Sequence, residues 1–170
     1  MTKREMRTID QNFQVREDDE EMKIEGYFSV FNQNYDMGYG MSEEIDPHAF
    51  DKTLGGDIRA LIDHNTNLVL GRTKAGTLTL RVDAHGWGSI SINPKDQDAR
   101  NIYERVKRGD VNQCSFGFEI VEEETEFRGN GDIHWKVKEV NLFEVSVCTF
   151  PAYETTEVSA RKEDAKTIQK

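Results

Sequence analysis

Short segments of alternating apolar and polar residues, separated by glycine-rich turns, constrain the fold of this chain more than any other feature. Residues 23–31 are rich in aromatic and β-branched side chains, and in residues 77–83 every second side chain is apolar. Residues 86–92 follow a turn and are predicted to be the hairpin partner of residues 77–83. Further strands are predicted at residues 58–64, 114–123, 133–137 and 140–149. Such spacing is more typical of a barrel or sandwich than of a parallel sheet.

The apolar period changes from that of a strand to that of a helix in one segment. Between residues 96 and 108 apolar side chains recur at i, i+3, i+4 and i+7, which predicts an amphipathic helix ended by Gly109. A shorter helix is predicted to open at Asp46-Pro47 and to close before Gly55. We therefore expect a β-rich α+β domain, with a mostly antiparallel, barrel-like sheet of about six to eight strands and two or three helices.

Length and charge indicate how the chain is organised and which partners it lacks. The 170 residues suit one domain. An acidic run between residues 16 and 21 is too charged to bury, so we expect a charged N-terminal segment (1–22), a domain (23–155) and a polar tail (156–170). The formal net charge of −10 argues against binding to nucleic acid or anionic membranes. Without a long apolar run or a signal-peptide core, the predicted location is cytoplasmic.

Cys114 and Ser115 are adjacent in a predicted strand, and alternation separates them. Cys114 shares a face with Phe116 and Phe118, which indicates the core side. Ser115 shares the other face with Gly117, where we expect the access that a nucleophile needs. On this local pattern alone a solvated strand position remains the simpler interpretation, because serine is a weak nucleophile without a base. The two cysteines of the chain, which lack a paired CxxC motif, are predicted to be reduced and packed as small apolar residues.

His64 is the histidine best placed to act as such a base. It ends an apolar segment where the chain leaves a strand for a polar loop, a position that is held rigidly and is open to a cleft. A structural histidine, hydrogen-bonded near Asp63 or Asn65, is the alternative. The remaining histidines are interpreted as structural or solvated: His48, His85 and His134.

A single carboxylate interrupts the apolar strand of residues 140–148. Burial of Glu144 there is costly unless the carboxylate is paired or solvated, and a cationic histidine is a suitable partner. The alternatives are an ion pair with a lysine or arginine, or a solvent-facing position, since Glu144 shares its face with Ser146.

Five groups of motifs, taken together, resemble the prohead maturation proteases of tailed bacteriophages, serine peptidases that are related in fold to the herpesvirus maturational proteases. The motifs stand in the order of that family and cover roughly residues 24–155. Each motif is weak alone, but five in order are specific. In chain order they are Ile24-Glu-Gly-Tyr-Phe-Ser-Val-Phe-Asn32; Glu44-Ile-Asp-Pro-His-Ala-Phe50; Leu61-Ile-Asp-His-Asn65 with Leu70-Gly-Arg72; Gly109-Asp-Val with Cys114-Ser-Phe-Gly-Phe118; and Leu142-Phe-Glu-Val-Ser-Val147 with Thr149-Phe-Pro-Ala-Tyr153.

The resemblance implies a herpesvirus-protease-like fold and assigns roles to three residues. The family's histidine falls on His64 and its nucleophile on Ser115. The third member is a second histidine in the herpesvirus relatives, whereas the corresponding strand here offers Glu144, with Asp63 and Glu139 as fallback candidates. The implied chemistry is acyl transfer without a metal or an organic cofactor.

The resemblance also implies a place and a substrate. We expect limited proteolysis inside an assembling procapsid in the host cytoplasm, directed at the scaffolding segment of the major capsid protein or at a scaffold protein, together with self-cleavage. Because the herpesvirus relatives work as dimers, a homodimer is plausible, although the sequence has no independent sign of one. Backbone N–H groups near the bend from Thr149 to Pro151, or Arg72, are candidate donors to the oxyanion.

Two other classes of function stay open at this point. A non-catalytic scaffold or capsid-associated module on the same fold would assemble and mature shells normally with Ser115→Ala. A metal-dependent hydrolase would draw on Asp63, His64, His85 and His134, but the chain has no HxH or HExxH spacing.

Overall fold

The computed structural model describes residues 4–18 and 21–150, except for the side chains of residues 9–12, 17 and 18. This part of the chain contains eleven strands and one helix. In chain order they are β1 (Arg4–Asn12), β2 (Gln14–Asp18), β3 (Glu21–Ser29), β4 (Tyr35–Gly38), β5 (Met41–Ile45), β6 (Arg59–Ile62), β7 (Asn65–Arg72), β8 (Leu78–Val82), β9 (Gly86–Ser91), α1 (Gln97–Arg108), β10 (Gln113–Phe127) and β11 (Ile133–Cys148).

The larger sheet is built around the long hairpin of β10 and β11. Five of its seven strands follow the path β1-β10-β11-β5-β4, while β6 pairs with a different part of β11 and β7 pairs with β6. Strand β11 is antiparallel to β10 but parallel to β5 and β6, with Glu144 level with Arg59 of β6. This register places the chain that follows β6 beside the C-terminal half of β11.

The smaller sheet is antiparallel, in the order β2-β3-β9-β8, and shares one apolar core with the larger sheet and α1. Three aromatic rings join these parts, with centroid separations of 5.4 Å for Phe28–Phe50 and 5.9 Å for both Phe28–Phe116 and Phe50–Phe116. All three are almost completely buried. Burial of apolar surface is the main favourable term in folding, so this core holds β10 rigidly from one side.

The predicted amphipathic helix is confirmed as α1. The Asp96 carboxylate accepts hydrogen bonds from the N–H groups of Asp98 and Ala99, and Gly109 ends the helix with a φ of 94°. The apolar face is buried, as the period requires. No helix in the described part of the chain combines the length and apolarity needed to cross a bilayer.

Several predicted elements are wrong in detail. Residues 47–55 form successive turns rather than a helix, with Ala49, Asp51 and Thr53 each donating a backbone N–H to the carbonyl three residues earlier. The described residues therefore contain one helix, not two or three, and eleven strands, not six to eight. The larger sheet is mixed, and the described strands do not close into a barrel, because β1 and β4 are the two ends of its path.

Tertiary pairing explains the strands that the sequence did not predict. Strand β4 lies where the sequence predicted no strand and pairs with β5, and β7 begins in the polar loop predicted after His64 and pairs with β6. The predicted strands 133–137 and 140–149 are one continuous strand, β11.

The described part of the predicted charged N-terminal segment also pairs, as β1 with β10 and β2 with β3. The domain bounds of 23–155 stay a prediction. The predicted strand end at Pro151 and the polar tail of 156–170 lie outside the described residues.

Candidate active site

Ser115 lies in the middle of the larger sheet, on β10, between Thr8 of β1 and Ser146 of β11. The predicted alternation is confirmed on the core side, where Cys114 and Phe116 are buried in the apolar cluster. Burial raises the pKa of the Cys114 thiol well above its ordinary value, and nearby Cys148 and Glu144 act in the same direction. Cys114 is therefore a neutral, packed thiol without access to a substrate.

The opposite face of β10 is not the solvated face that we expected. Ser115 is 0% exposed, because polar side chains of neighbouring strands and His64 lie over it. The accessible part of this cluster is His64, whose side chain is 20% exposed. The expectation of an open, solvent-facing serine is therefore wrong, and the serine sits in a polar layer buried beneath the imidazole.

His64 brings the predicted residues together. Its Nε2 lies 2.9 Å from Ser115 Oγ, and its Nδ1 is hydrogen-bonded to Glu144 Oε1. Ser115 and Glu144 lie 51 and 80 positions after His64 along the chain, yet the three side chains form one connected row. Glu144 is only 6% exposed and pairs with a histidine, so the alternatives of a solvent-facing carboxylate or a lysine or arginine partner are wrong.

The two-residue turn between β6 and β7 positions the imidazole. Asp63 and His64 both have positive φ, 50° and 58°, as a type I′ hairpin turn requires. This conformation costs a histidine free energy, so other contacts must hold it. The Asp63 N–H donates to the Val147 carbonyl at 2.9 Å, and the Asp63 carboxylate accepts the Thr149 N–H at 2.8 Å. The turn is thereby fastened to the end of β11.

Gly117 makes room for the glutamate. It lies level with Glu144 across the hairpin, and a Cβ at this position would be 2.5 Å from Glu144 Oε1. We expected the face of Ser115 and Gly117 to give access to the nucleophile, but the space beside Gly117 is filled by the Glu144 carboxylate. A side chain at position 117 would therefore require the Glu144 carboxylate to move from its present position.

Two further side chains of β11 face the same cluster, and the sequence analysis assigned a role to neither. Ser146 donates its hydroxyl to Glu144 Oε2 at 2.5 Å and accepts the His64 backbone N–H at 3.1 Å. Cys148 Sγ lies 3.8 Å from His64 Nε2. The signal that identifies them is period two along β11, because residues 144, 146 and 148 share one face.

Burial raises the pKa of Cys148 to about 12, and the charges of Asp63 and Glu144 contribute in the same direction. The thiol is neutral at physiological pH, so it is a poor competitor of Ser115 for the role of nucleophile.

The fallback and alternative residues lie in other contacts. Asp63 binds Thr149, and Glu139 forms an ion pair of 3.0 Å with Lys52, so neither is hydrogen-bonded to the His64 imidazole. Arg72 is hydrogen-bonded to the carboxylate of Asp57. The N–H of Thr149 and the guanidinium of Arg72, two of the candidate oxyanion donors, therefore already have partners.

The other histidines have structural partners. His48 Nδ1 lies 2.9 Å from the Asp51 carboxylate, His85 Nδ1 accepts the Phe31 N–H at 3.2 Å, and His134 Nδ1 lies 2.7 Å from Ser42 Oγ. Among the side chains that the structure describes, no three histidine, cysteine or acidic residues are grouped as metal ligands.

The row of Ser115, His64 and Glu144 has the parts that nucleophilic catalysis needs. An ionised carboxylate has no proton to donate and can only accept a hydrogen bond. The proton of the imidazole therefore lies on Nδ1, the nitrogen bonded to Glu144. Nε2 then presents a lone pair to the Ser115 hydroxyl, and the carboxylate stabilises the imidazolium that forms when Nε2 takes a proton.

The chain is similar to known proteins both in sequence and in fold. The family model described as caudovirus prohead serine protease matches residues 11–170. The prohead protease of Enterobacteria phage HK97 is 29% identical over 144 residues, which are 82% of this chain and 60% of that protein. The chain thus spans 60% of the length of this relative. The solved structure of the bacteriophage T4 capsid assembly protease superposes with a TM-score of 0.57 at 7% identity, over 88% of this chain and 98% of the other. At such low identity this likeness bears on the fold alone.

Proposed function

The chain belongs to the caudovirus prohead serine protease family, and from this premise we propose that it is a serine endopeptidase of procapsid maturation with Ser115 as its nucleophile. His64 is the general base and Glu144 orients it. The observation that carries the proposal is the contact of 2.9 Å between His64 Nε2 and Ser115 Oγ, on an imidazole whose other nitrogen is bonded to a buried carboxylate.

The reaction follows from this geometry. Ser115 Oγ attacks the carbonyl carbon of a peptide bond while its proton moves to His64 Nε2. The imidazolium returns that proton to the leaving amine as the C–N bond breaks, which leaves an acyl-enzyme on Ser115. A water molecule then attacks the ester, gives its proton to Nε2, and releases the acid and the free serine. Glu144 remains ionised throughout and stabilises the imidazolium.

Burial strengthens the electrostatic part of this mechanism. Glu144 is 6% exposed, and charges interact more strongly away from bulk water. The carboxylate and the imidazole are held by β11 and by the turn that is fastened to it, so little reorganisation is needed when charge develops on the ring.

The proposed substrates are the polypeptides of the phage procapsid. The family description names a prohead protease, so the capsid and scaffold proteins of the assembling shell are the substrates that we propose. We include the scaffolding segment of the major capsid protein, a separate scaffold protein and the protease chain itself, inside the procapsid in the host cytoplasm. Self-association as a homodimer is part of the same proposal.

Co-expression with the coat protein of the same phage tests the nucleophile. We expect the coat protein to be shortened on a denaturing gel with the unaltered chain and to remain full length with Ser115→Ala. The matched control is Cys114→Ala, the neighbouring buried residue on the core face, which should leave cleavage largely intact. Shells that mature normally with Ser115→Ala would instead support a non-catalytic assembly module.

A further inference from the structure

Ser146 occupies the centre of the hydrogen-bond network behind the imidazole. We infer that Ser146 is a positioning residue of the active site, whose hydroxyl orients both Glu144 and the backbone of His64; this inference rests on the proposed function. The hydroxyl lies 2.5 Å from Glu144 Oε2 and 3.1 Å from the His64 backbone nitrogen. It does not contact the reacting atoms, so it acts through its two neighbours.

The chemistry of the donors sets the direction of every bond in the row. A backbone N–H can only donate, so Ser146 Oγ accepts from His64, and its one proton is left for Glu144 Oε2. The second oxygen, Oε1, then accepts the proton of His64 Nδ1, and Nε2 faces the Ser115 hydroxyl as an acceptor. The ionised carboxylate thus sets the tautomer that a general base needs, and Ser146 holds that carboxylate in place.

Position and burial make this arrangement rigid. Ser146 is 0% exposed and lies level with Ser115 across the hairpin and with Leu61 of β6. A buried hydroxyl in such a network has few alternative partners, so it holds both Oε2 and the His64 backbone in one geometry. The His64 backbone is in the left-handed region, with a φ of 58°, so the bond to its N–H also supports a conformation that histidine disfavours.

Ser29 is a natural comparison within the same chain. It is also 0% exposed, on β3, yet its hydroxyl has no hydrogen-bond partner among the described residues. Removal of the Ser29 hydroxyl should therefore be neutral for activity, which makes Ser29→Ala the matched control for the loss of one buried hydroxyl.

The test measures the rate at which a fluorophosphonate labels Ser115 in the full chain. In this reaction Ser115 Oγ forms a bond to phosphorus, the P–F bond breaks, fluoride leaves and the hydroxyl proton passes to His64 Nε2. We expect Ser146→Ala to lower the maximal labelling rate roughly 10- to 100-fold, as the loss of a hydrogen bond to a charged group predicts. The reagent concentration at half-maximal rate should be nearly unchanged, and Ser29→Ala should label like the unaltered chain.

Two further variants separate positioning from a general structural role. Ser146→Thr keeps the hydroxyl and should restore most of the labelling rate, at some cost in stability because its extra methyl group enters a packed site. In a Glu144→Ala background the change Ser146→Ala should have a smaller effect than in the unaltered chain, because one of its two partners is already gone and only the bond to the His64 N–H remains to be lost. If Ser146→Ala does not fold, Ser146→Cys replaces it, with a weaker donor and a smaller expected loss.

The results distinguish a failure of the proposed function from a failure of the positioning role of Ser146. Absence of labelling in the unaltered chain, or equal labelling of Ser115→Ala, would overturn the proposed function and with it the role of Ser146. Normal labelling of folded Ser146→Ala, or a full multiplicative loss in the Glu144→Ala background, would overturn the positioning role and leave the nucleophile assignment intact.

Discussion

At the scale of single residues, small side chains and missing side chains shape the site as much as the reactive groups do. Gly117 lets Glu144 keep its position, because a Cβ at residue 117 would lie only 2.5 Å from Glu144 Oε1. Cys148 is close to the imidazole but is a neutral thiol, because burial raises its pKa to about 12. Each of these two residues leads to a direct test.

Gly117→Ala should inactivate the protein without unfolding it. The new methyl group would lie 2.5 Å from Glu144 Oε1, so the carboxylate must move away from His64 Nδ1. We expect coat cleavage to fall by at least about tenfold, as small misplacements of catalytic groups do. Gly129→Ala, with open space around its Cβ, is the control. Full activity of Gly117→Ala would show that Glu144 does not need its present position.

Cys148 should resist thiol reagents even at mildly alkaline pH. The pKa of Cys148 is about 12, so its thiol remains protonated at pH 8. Thiol reagents react with the thiolate, which is scarce under these conditions. Iodoacetamide at pH 8 should therefore leave folded protein unmodified by intact-mass spectrometry and without loss of activity. In guanidinium chloride both cysteines should be alkylated. Rapid alkylation of Cys148 in the folded state would contradict its assigned environment.

At the scale of elements, a hairpin turn and a strand end form one unit. The β6–β7 turn holds His64 in an unfavourable backbone conformation, and the Asp63 carboxylate binds both the N–H and the hydroxyl of Thr149, at 2.8 Å and 3.2 Å. Asp63 was a candidate for the third catalytic residue, but its contacts show it fastening the turn to the end of β11.

Asp63→Ala should therefore weaken both stability and activity. A hydrogen bond to a charged group contributes about 1.5–3 kcal/mol, so we expect a loss of that order in the free energy of unfolding, measured by urea denaturation. Asp63→Asn, which tolerates positive φ and keeps an acceptor, should lose less. If the alanine and asparagine variants unfold at the same urea concentration as the unaltered chain, the turn is held by other contacts.

At the scale of the whole molecule, a buried ion pair joins the first strand to the far side of the larger sheet. The Arg7 guanidinium donates two hydrogen bonds to the Glu43 carboxylate, Nε to Oε1 at 2.7 Å and Nη2 to Oε2 at 2.9 Å. Arg7 is 5% and Glu43 1% exposed, although the two strands, β1 and β5, are not neighbours in the sheet. The curled sheet brings them together, so β1 is part of the folded body.

Glu43→Ala should destabilise the fold strongly. Removal of one partner leaves a buried charge without its main counter-charge, which typically costs about 3–5 kcal/mol. Denaturation in guanidinium chloride should show a lower midpoint. Glu21→Ala removes a glutamate from an exposed pair with Lys23 and should leave the midpoint nearly unchanged. Equal midpoints for the two variants would contradict the importance of the buried pair.

The patterns of strand and helix period predicted the element types well, and they failed where pairing partners were decisive. The helix α1, with its Asp96 and Gly109 caps, depends on local contacts and was predicted to within one residue. Strands β4 and β7 have weak local patterns and exist because β5 and β6 provide hydrogen-bond partners. The helix predicted at residues 46–54 is a series of turns, because its proline and glycine signals suit turns equally well.

The sequence by itself determined which residues are candidates for the reaction: the resemblance of its motifs to the family singled out His64, Ser115 and Glu144, and alternation assigned Cys114 to the core. Only the tertiary structure decided how they meet. The parallel register of β6 on β11 brings the turn bearing His64 to Glu144, and the antiparallel register of β10 on β11 sets Ser115 level with Ser146. Register between distant strands depends on long-range hydrogen bonding and packing, which a local pattern does not contain. For the same reason the burial of Ser115 and the part of Ser146 emerged only from the folded chain.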